Sequence, residues 1–469
     1  MKIQKQVPLT EGPILKSLTG LAVPIMISSF LGTLYNITDM AWIGLLGSKA
    51  VAAVGVGGMY VWLSQGLASL ARMGGQVHVA QCLGRGDKEQ AHRYAKTAVQ
   101  LSILLGLAFA AVSLLFTDPL VGFFKLEGVK TILDAKIYMR ITCGLILFSF
   151  LNLTLTGLYT AQGDSKTPFV ANFIGLLINL LLDPLLILGV GPFPRIEVAG
   201  AAVATVSAQF VVMFVMMVGV FRSKKEENVL KGIRLFEPFS KEELGNICKI
   251  GGPTAIQGMV YCMISMVLTR MVAAFGAEAI ATQRVGGQIE SVSWNTADGF
   301  AAALNAFVGQ NYGAKKMDRV QKGYRISFWT VAIWGALIML AFIIFPGPIA
   351  GVFFHEEKAM EIAISYLIII GFSEAFMCVE LMTIGALSGL GKTKLCSVIS
   401  ITATSMRIPL AMVLSRTSLG LDGIWWALTL TSVAKGIIFY LTFRYQMREK
   451  CCRNFSKGVN LKTIKIRMK

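Results

Sequence analysis

The sequence predicts an all-α membrane protein with twelve transmembrane helices arranged as two parallel-repeat six-helix lobes. Three observations favour this fold class: a low content of charge, a series of long apolar runs, and an internal repeat. The chain has 469 residues, of which 55 % are hydrophobic and 15 % are charged. Soluble proteins carry about 25 % charged residues, so a chain this long and this apolar cannot cover its surface with polar side chains. Disordered, collagen-like and disulfide-rich secreted classes are excluded by the same composition.

A membrane span needs about 20 mostly apolar residues, because the hydrocarbon core is about 30 Å thick. Such runs, separated by Gly, Pro or charged clusters, number twelve. The first is too long for a signal peptide and lacks a cleavage pattern after it, so we interpret it as a span. The predicted spans are 16–41, 50–71, 96–117, 135–160, 168–190, 199–221, 247–271, 279–306, 326–347, 360–387, 395–416 and 423–445.

The net charge of +18 raises the question of whether nucleic acid or a membrane surface is the partner. With both termini placed in the cytoplasm, most lysines and arginines fall in the inside loops and the tail, as the positive-inside rule requires. These residues are spread over short loops and lack an aromatic-lined groove, which is not typical of a nucleic-acid reader. We therefore expect a multi-pass protein of the cell (inner) membrane that contacts lipids and no nucleic acid.

The chain repeats itself. A shift of 229 residues places 24–84 on 253–313 without a gap, and matched positions include Pro24 with Pro253 and Gln81 with Gln310. Farther on, a shift of 228 pairs Tyr138 with Tyr366. Six spans per half is an even number, so the halves have the same orientation and flank a central cavity. The predicted domains are an N-terminal lobe (1–221), a cytoplasmic linker (222–246), a C-terminal lobe (247–446) and a basic cytoplasmic tail (447–469).

Several motifs in this order resemble the multidrug and toxic compound extrusion (MATE) family. They are the proline in the first span of each lobe, the sequence Val-Gly-Gln-Asn-Tyr-Gly-Ala at 308–314 closing span eight, Asn179 to Pro184 in span five, and Gly420 to Trp426 opening span twelve. The resemblance covers nearly the whole chain. It implies an antiporter, coupled to H⁺ or Na⁺, that exports organic and often cationic compounds from the cytoplasm by alternating access. It implies neither an enzyme nor a cofactor, and we expect a monomer.

Two carboxylates lie inside the N-terminal spans, where an acid is costly and marks a functional candidate. Asp39 is in span one, one helical turn after Tyr35, and Asp183 is in span five, one turn after Asn179. We find no Lys or Arg in the central part of spans one to six. Two acids in a partly dry site repel, so we expect the pair to take up a proton or Na⁺. The resemblance implies that the cation binds at Asp39, Asn179 and Asp183, and it extends to Tyr138, Asn152 and Thr205.

The C-terminal lobe contains four acids, Glu290, Asp298, Glu374 and Glu380, together with Arg284 and Arg407. Acids with basic neighbours favour ion pairing over titration. Another branch of the family binds Na⁺ in this lobe through an acid in span seven, and span seven has none here. Whether these four acids form a second ion site stays open at this point.

Two further expectations concern movement and the cavity. Pro24 removes a backbone hydrogen bond from span one and predicts a kink that links the charge of Asp39 to lobe movement. The 22 Met and 28 Phe suit a cavity that accepts many shapes. The candidate cavity residues are Met26, Tyr35, Phe150, Met259, Met263 and Trp294.

Two other functions remain as alternatives: a flippase for a lipid-linked precursor and a membrane-embedded enzyme. A flippase for a pyrophosphate-linked lipid needs a strongly basic cavity, and few basic residues lie deep in the spans. An enzyme needs a placed nucleophile or metal set, and the sequence has no C-x-x-C pair or histidine cluster. A near-match to a phosphate loop at 386–393 follows a membrane helix rather than a strand, so the sequence gives no support to ATP-driven pumping. We expect no metal site.

Overall fold

The computed structural model describes residues 7–126, 128–189, 194–223, 228–235, 237–238, 240–354 and 356–458, without the side chains of 48, 277 and 449–458. Every regular element in these ranges is a helix. Parts of the predicted linker (224–227, 236 and 239) and of the predicted tail (459–469) lie outside the described residues.

The N-terminal half of the chain forms eight helices. They are α1 (Ile14–Gly44), α2 (Ser48–Arg85), α3 (Lys88–Leu115), α4 (Thr117–Gly122), α5 (Val129–Gly144), α6 (Leu147–Ala161), α7 (Lys166–Ile187) and α8 (Glu197–Arg222).

The C-terminal half forms nine helices. They are α9 (Lys241–Ala273), α10 (Ala277–Gly313), α11 (Met317–Ile344), α12 (Pro346–Gly351), α13 (Glu357–Gly371), α14 (Glu374–Gly389), α15 (Thr393–Ser405), α16 (Arg407–Leu414) and α17 (Leu421–Gly458).

The twelve predicted spans correspond to these helices. Nine helical stretches in the described part of the chain are long and apolar enough to cross a membrane, with α15 and α16 counted as one. Two bent pairs, α5 with α6 and α13 with α14, raise the number to eleven. The twelfth is α10, which is long enough at 37 residues but carries four charged side chains that lower its mean hydropathy. The all-α, twelve-helix fold class is confirmed.

The structure differs from the sequence prediction in spans four and ten, which we predicted as continuous helices. Span four bends by 43° between α5 and α6, and span ten bends by 51° between α13 and α14. Each break follows a glycine, Gly144 or Gly371, a residue that weakens a helix. The breaks lie at equivalent positions of the repeat.

The two lobes meet through four long helices. Helix α1 packs along α10, and α9 packs along α2. The 229-residue shift converts one of these pairs into the other, so the interface has the two-fold relation that a parallel repeat requires.

The lobes are in close contact at the end of the molecule where α2 and α10 finish. We call it the basic end because Arg85, Lys315 and Lys316 lie there. Gln81 Nε2 donates to the carbonyl oxygen of Gly389 at 2.9 Å. Its repeat partner Gln310 donates to the carbonyl oxygen of Ala161 at 2.8 Å.

Glycines permit this contact. A Cβ on Gly84 would collide with the backbone of Gln310, and one on Gly313 would collide with the backbone of Gln81. The basic end is therefore closed by backbone-to-backbone packing across the lobes.

The described part of the predicted linker is fastened to the N-terminal lobe. The ring Nδ1 of His92 lies 2.7 Å from the carbonyl oxygen of Val229, and Gln100 donates to the carbonyl oxygen of Leu235 at 2.8 Å. Lys96 forms an ion pair with Glu237 at 2.7 Å, and this contact lowers the pKa of Glu237 below its usual range. These contacts hold the segment against α3.

Two adjacent glycines of α9 provide a test of the lobe interface. A Cβ on Gly251 would collide with the backbone of Leu70 in α2, whereas a Cβ on Gly252 would meet nothing within 4 Å. We expect Gly251→Ala to lower the free energy of unfolding by about 1–3 kcal/mol, as overpacking does. Gly252→Ala is the matched control and should be neutral or stabilising by up to about 1 kcal/mol. Unfolding by denaturing detergent in mixed micelles measures both, and equal effects would contradict the close packing of α2 on α9.

Candidate cation site and polar cavity

The two acids predicted from the sequence lie together in the N-terminal lobe, on α1 and α7. Asp183 is fully buried and Asp39 is 7 % exposed. Asn179 Nδ2 donates to Asp183 Oδ1 at 3.1 Å, as their spacing of one helical turn allows. The carboxylates are close enough for their charges to interact.

Three more polar side chains, Tyr35, Tyr138 and Thr205, lie beside these residues. We call the six together the carboxylate cluster: Tyr35, Asp39, Tyr138, Asn179, Asp183 and Thr205. The phenols of Tyr35 and Tyr138 interact electrostatically with both acids, and the Thr205 hydroxyl lies beside both phenols. The ring of Tyr138 fits over Gly57 of α2, where a Cβ would collide with it. Five of the six residues predicted for the cation site thus lie together in the structure. The sixth, Asn152, lies elsewhere.

The carboxylate cluster has more acceptors than donors. Five buried oxygens have no hydrogen-bond partner: Tyr35 Oη, Asp39 Oδ1, Asn179 Oδ1, Asp183 Oδ2 and Thr205 Oγ1. No basic side chain of the described residues contributes to the electrostatics of either acid. An unsatisfied buried polar atom costs about 1–3 kcal/mol, so this arrangement favours the uptake of a proton or of a hard cation that prefers oxygen ligands.

Asn152 lies in a neighbouring polar cavity. Its Nδ2 donates to both the backbone oxygen (2.9 Å) and the side-chain oxygen (2.8 Å) of Gln209. The cavity has a volume of about 430 Å³ and is lined by helices α1, α2, α6, α7, α8 and α10. Tyr35 lines it as well, so this phenol belongs to both the cluster and the cavity.

The cavity contains a basic residue that sequence reasoning missed. The predicted span two ends at residue 71, which places Arg72 in the inside loop that follows it. Helix α2 continues to Arg85, and Arg72 lines the cavity together with Asp298 of α10. Arg72 does not contribute to the electrostatics of Asp39 or Asp183. The expectation that no Lys or Arg lies in the central part of spans one to six to neutralise these acids therefore stays a prediction.

The remaining cavity candidates are distributed among several environments. Phe150 is fully buried and packs against Phe109 at a ring distance of 6.3 Å, so it does not line this cavity. Met26 packs against Gly299 and Met259 against Gly66, both at contacts between lobes. Met263 and Trp294 are exposed. A substrate role for these residues stays a prediction.

Pro24 lies inside the continuous helix α1. A proline cannot donate to the carbonyl four residues earlier, which here belongs to Gly20. The hydroxyl of Ser165 donates to that carbonyl oxygen at 3.5 Å. The lost backbone bond is thus partly replaced from the start of α7, the helix that carries Asp183.

The acids of the C-terminal lobe have different partners. Glu380 forms a buried ion pair with Lys435 at 2.8 Å, so ion pairing is present, though with Lys435 rather than an arginine. Tyr366 donates to Glu290, while both oxygens of Glu374 have no partner.

The two arginines considered from the sequence do not pair with these acids. Arg407 donates to Thr431 at 3.0 Å and to Ser432 at 2.9 Å, and Arg284 is exposed. Among the described residues, no group of three or more His, Cys, Asp or Glu side chains is arranged to hold a metal ion.

Comparison with known proteins agrees with the resemblance. The MatE family model matches residues 24–185 and 253–413, one match in each lobe. A probable multidrug resistance protein NorM from Thermotoga maritima is 29 % identical over 456 residues, which cover 94 % of this chain and 95 % of that protein. An FAD transporter from Shewanella oneidensis is 24 % identical over 92 % of this chain and 95 % of its own length. A multidrug resistance MATE family transporter solved in an outward-facing conformation has a TM-score of 0.87 at 23 % identity, with 96 % of this chain and 99 % of that chain covered.

The buried ion pair in the C-terminal lobe is open to a direct test. We expect Glu380→Gln to lower the free energy of unfolding by about 3–5 kcal/mol, because the Lys435 ammonium remains buried without a counter-charge. The double variant Glu380→Met/Lys435→Met should recover most of this loss. Detergent-induced unfolding measures both, with the exposed Glu361→Gln as the control. A single variant as stable as the control would contradict the pairing.

Proposed function

The chain belongs to the MatE family of transporters, and we propose that it is a cation-coupled antiporter that exports organic, often cationic, compounds from the cytoplasm by alternating access. It is a multi-pass membrane transporter for small molecules, not an enzyme. The observation that carries the coupling proposal is the carboxylate cluster, in which two buried acids interact electrostatically. No basic side chain of the described residues acts on either acid.

The coupling ion is H⁺ or Na⁺ bound by the carboxylate cluster. Either cation removes the repulsion between Asp39 and Asp183 and occupies oxygens that otherwise have no partner. The acids lie on α1 and α7, which pack against each other and each contain a proline, Pro24 or Pro184. Loading therefore changes the packing of two helices that are already weakened, and α1 transmits this change to α10 of the other lobe.

The closed basic end supports an orientation for this conformation. If the positive-inside rule holds for this chain, the basic end faces the cytoplasm, both termini are cytoplasmic, and the conformation is outward-facing. Outside cations then load the carboxylate cluster, and their binding drives substrate release and the return of the lobes. We propose the inner membrane as the location and the monomer, in contact with lipids, as the working unit.

The energetics permit this coupling. One charge that crosses about 100 mV releases about 2.3 kcal/mol, and a hundredfold gradient of a neutral solute costs about 2.8 kcal/mol. A small added gradient of H⁺ or Na⁺ closes the difference. A cationic substrate adds its own electrical cost and needs a correspondingly larger ion gradient.

The proposed coupling predicts a selective loss in Asp39→Asn. In proteoliposomes with an imposed pH or Na⁺ gradient, we expect gradient-driven transport of a fluorescent organic cation to fall at least about tenfold, because the amide carries no charge for a cation to neutralise. The control is Asp118→Asn, since Asp118 is an exposed acid paired with Lys136 at the surface. Which gradient drives the wild type identifies the ion. Undiminished transport by Asp39→Asn would remove this acid from the mechanism.

The proline of α1 gives a second prediction. Pro24→Ala restores a donor to the carbonyl of Gly20 and stiffens the helix between the basic end and Asp39. We expect the variant to bind substrate as the wild type does but to transport it several-fold more slowly under the same gradient. Dye binding at equilibrium and transport rate, measured on the same preparation, separate these effects. A wild-type rate of coupled export would show that the kink is static.

A further inference from the structure

The polar cavity holds two opposite charges that come from different lobes. Arg72 extends from α2 and Asp298 from α10, and both line the cavity. Their charges interact, yet the described residues include no ion pair or hydrogen bond between them. Arg72 Nε is buried and has no hydrogen-bond partner.

The position of Arg72 is fixed by packing. Its side-chain stem lies over Gly157 of α6, where a Cβ would come within 2.9 Å of Arg72 Cγ. The guanidinium is thus held in the cavity by close packing of its stem. A buried polar atom without a hydrogen-bond partner is costly, and the planar fork of a guanidinium matches a carboxylate or phosphate through two parallel hydrogen bonds.

The other side chains that line the cavity carry no charge, and several of them are polar. Gln65, Gln76 and Asn172 line the same cavity and provide amide donors and acceptors without a net charge. A volume of about 430 Å³ is within the range of pockets that hold drug-sized ligands, about 300–1,000 Å³. A ligand with a single positive charge would gain from Asp298 but would be repelled by Arg72.

We propose that Arg72 and Asp298 form a dipolar subsite for zwitterionic organic compounds, with the anionic group on Arg72 and the cationic group on Asp298. Such a ligand satisfies both charges at once and contacts both lobes. Arg72 is the residue that discriminates between a zwitterion and a simple cation. This inference rests on the proposed function, because it takes the polar cavity to be a substrate site.

The test uses a matched pair of dyes: a rhodamine with a free carboxylate, which is zwitterionic, and its methyl ester, a cation of nearly the same shape. Binding to the full chain in detergent is measured by fluorescence anisotropy without any gradient. We expect the wild type to prefer the zwitterion. Arg72→Gln should weaken binding of the zwitterion about 10- to 100-fold, the range for a charge-assisted hydrogen bond, and should leave the ester within about threefold. Asp298→Asn should weaken both dyes, because both carry the cationic group.

Two variants complete the design. Arg85→Gln removes an exposed arginine from the end of the same helix and should change neither affinity. Arg72→Lys keeps the charge but loses the planar fork, so it should retain part of the preference for the zwitterion. It replaces Arg72→Gln if that variant does not fold.

An equal loss of affinity for both dyes in the Arg72 variants, or an unchanged ratio of the two affinities, would overturn the proposal. Failure of the proposed function is a separate outcome: selective binding would persist, while no gradient would drive transport of either dye.

Discussion

The organisation of this protein depends on one constraint: a polar group inside a membrane must find its partner within the protein. Some buried polar side chains satisfy this constraint through partners in their own lobe. Arg407 donates to two hydroxyls on α17, and Lys435 pairs with Glu380. The carboxylate cluster, Glu374 and Arg72 are among the deviations. In a hydrocarbon environment, an unsatisfied polar group lowers the stability of the fold. Such groups are therefore better candidates for functional residues than the polar groups that have partners.

The internal repeat supplies a symmetric scaffold on which the two lobes carry different chemistry. The fit of Tyr138 over Gly57 recurs as Tyr366 over Gly286, and the Gln81 contact recurs at Gln310. The polar side chains around these common features differ, since the shift that pairs Tyr138 with Tyr366 also pairs Asn179 with Arg407. A guanidinium in place of an amide supplies a positive charge within electrostatic range of Glu290. The same backbone arrangement therefore gives an acid pair without a basic neighbour in one lobe and acids near basic groups in the other.

Sequence reasoning predicted the fold class, the repeat and the partners in the carboxylate cluster because these depend on periodicity. Hydropathy locates spans, and a spacing of four residues places Asn179 beside Asp183 on one helix face. The features that it missed depend on tertiary contacts. Hydropathy along the sequence ends span two at residue 71. Helix α2 nevertheless continues to Arg85, because its polar residues face the other lobe and the cavity. Arg72 therefore lies inside the fold. The association of Asn152 with Gln209 rather than with the acids depends on how α6 packs against α8, and no local pattern encodes that packing.

The cluster and the cavity are connected by Tyr35. This residue is one helical turn from Asp39, its phenol has no hydrogen-bond partner, and it lines the polar cavity. A phenol can donate to a charged carboxylate but is a poorer partner for a protonated one or for a carboxylate that binds a cation. Under the proposed function, ion loading therefore changes the electrostatic interaction of the Tyr35 phenol with Asp39 and Asp183, and with it the wall of the cavity. Substrate and ion then bind at different positions, yet each favours a different arrangement of α1. Antiport requires this kind of mutual exclusion between ion and substrate.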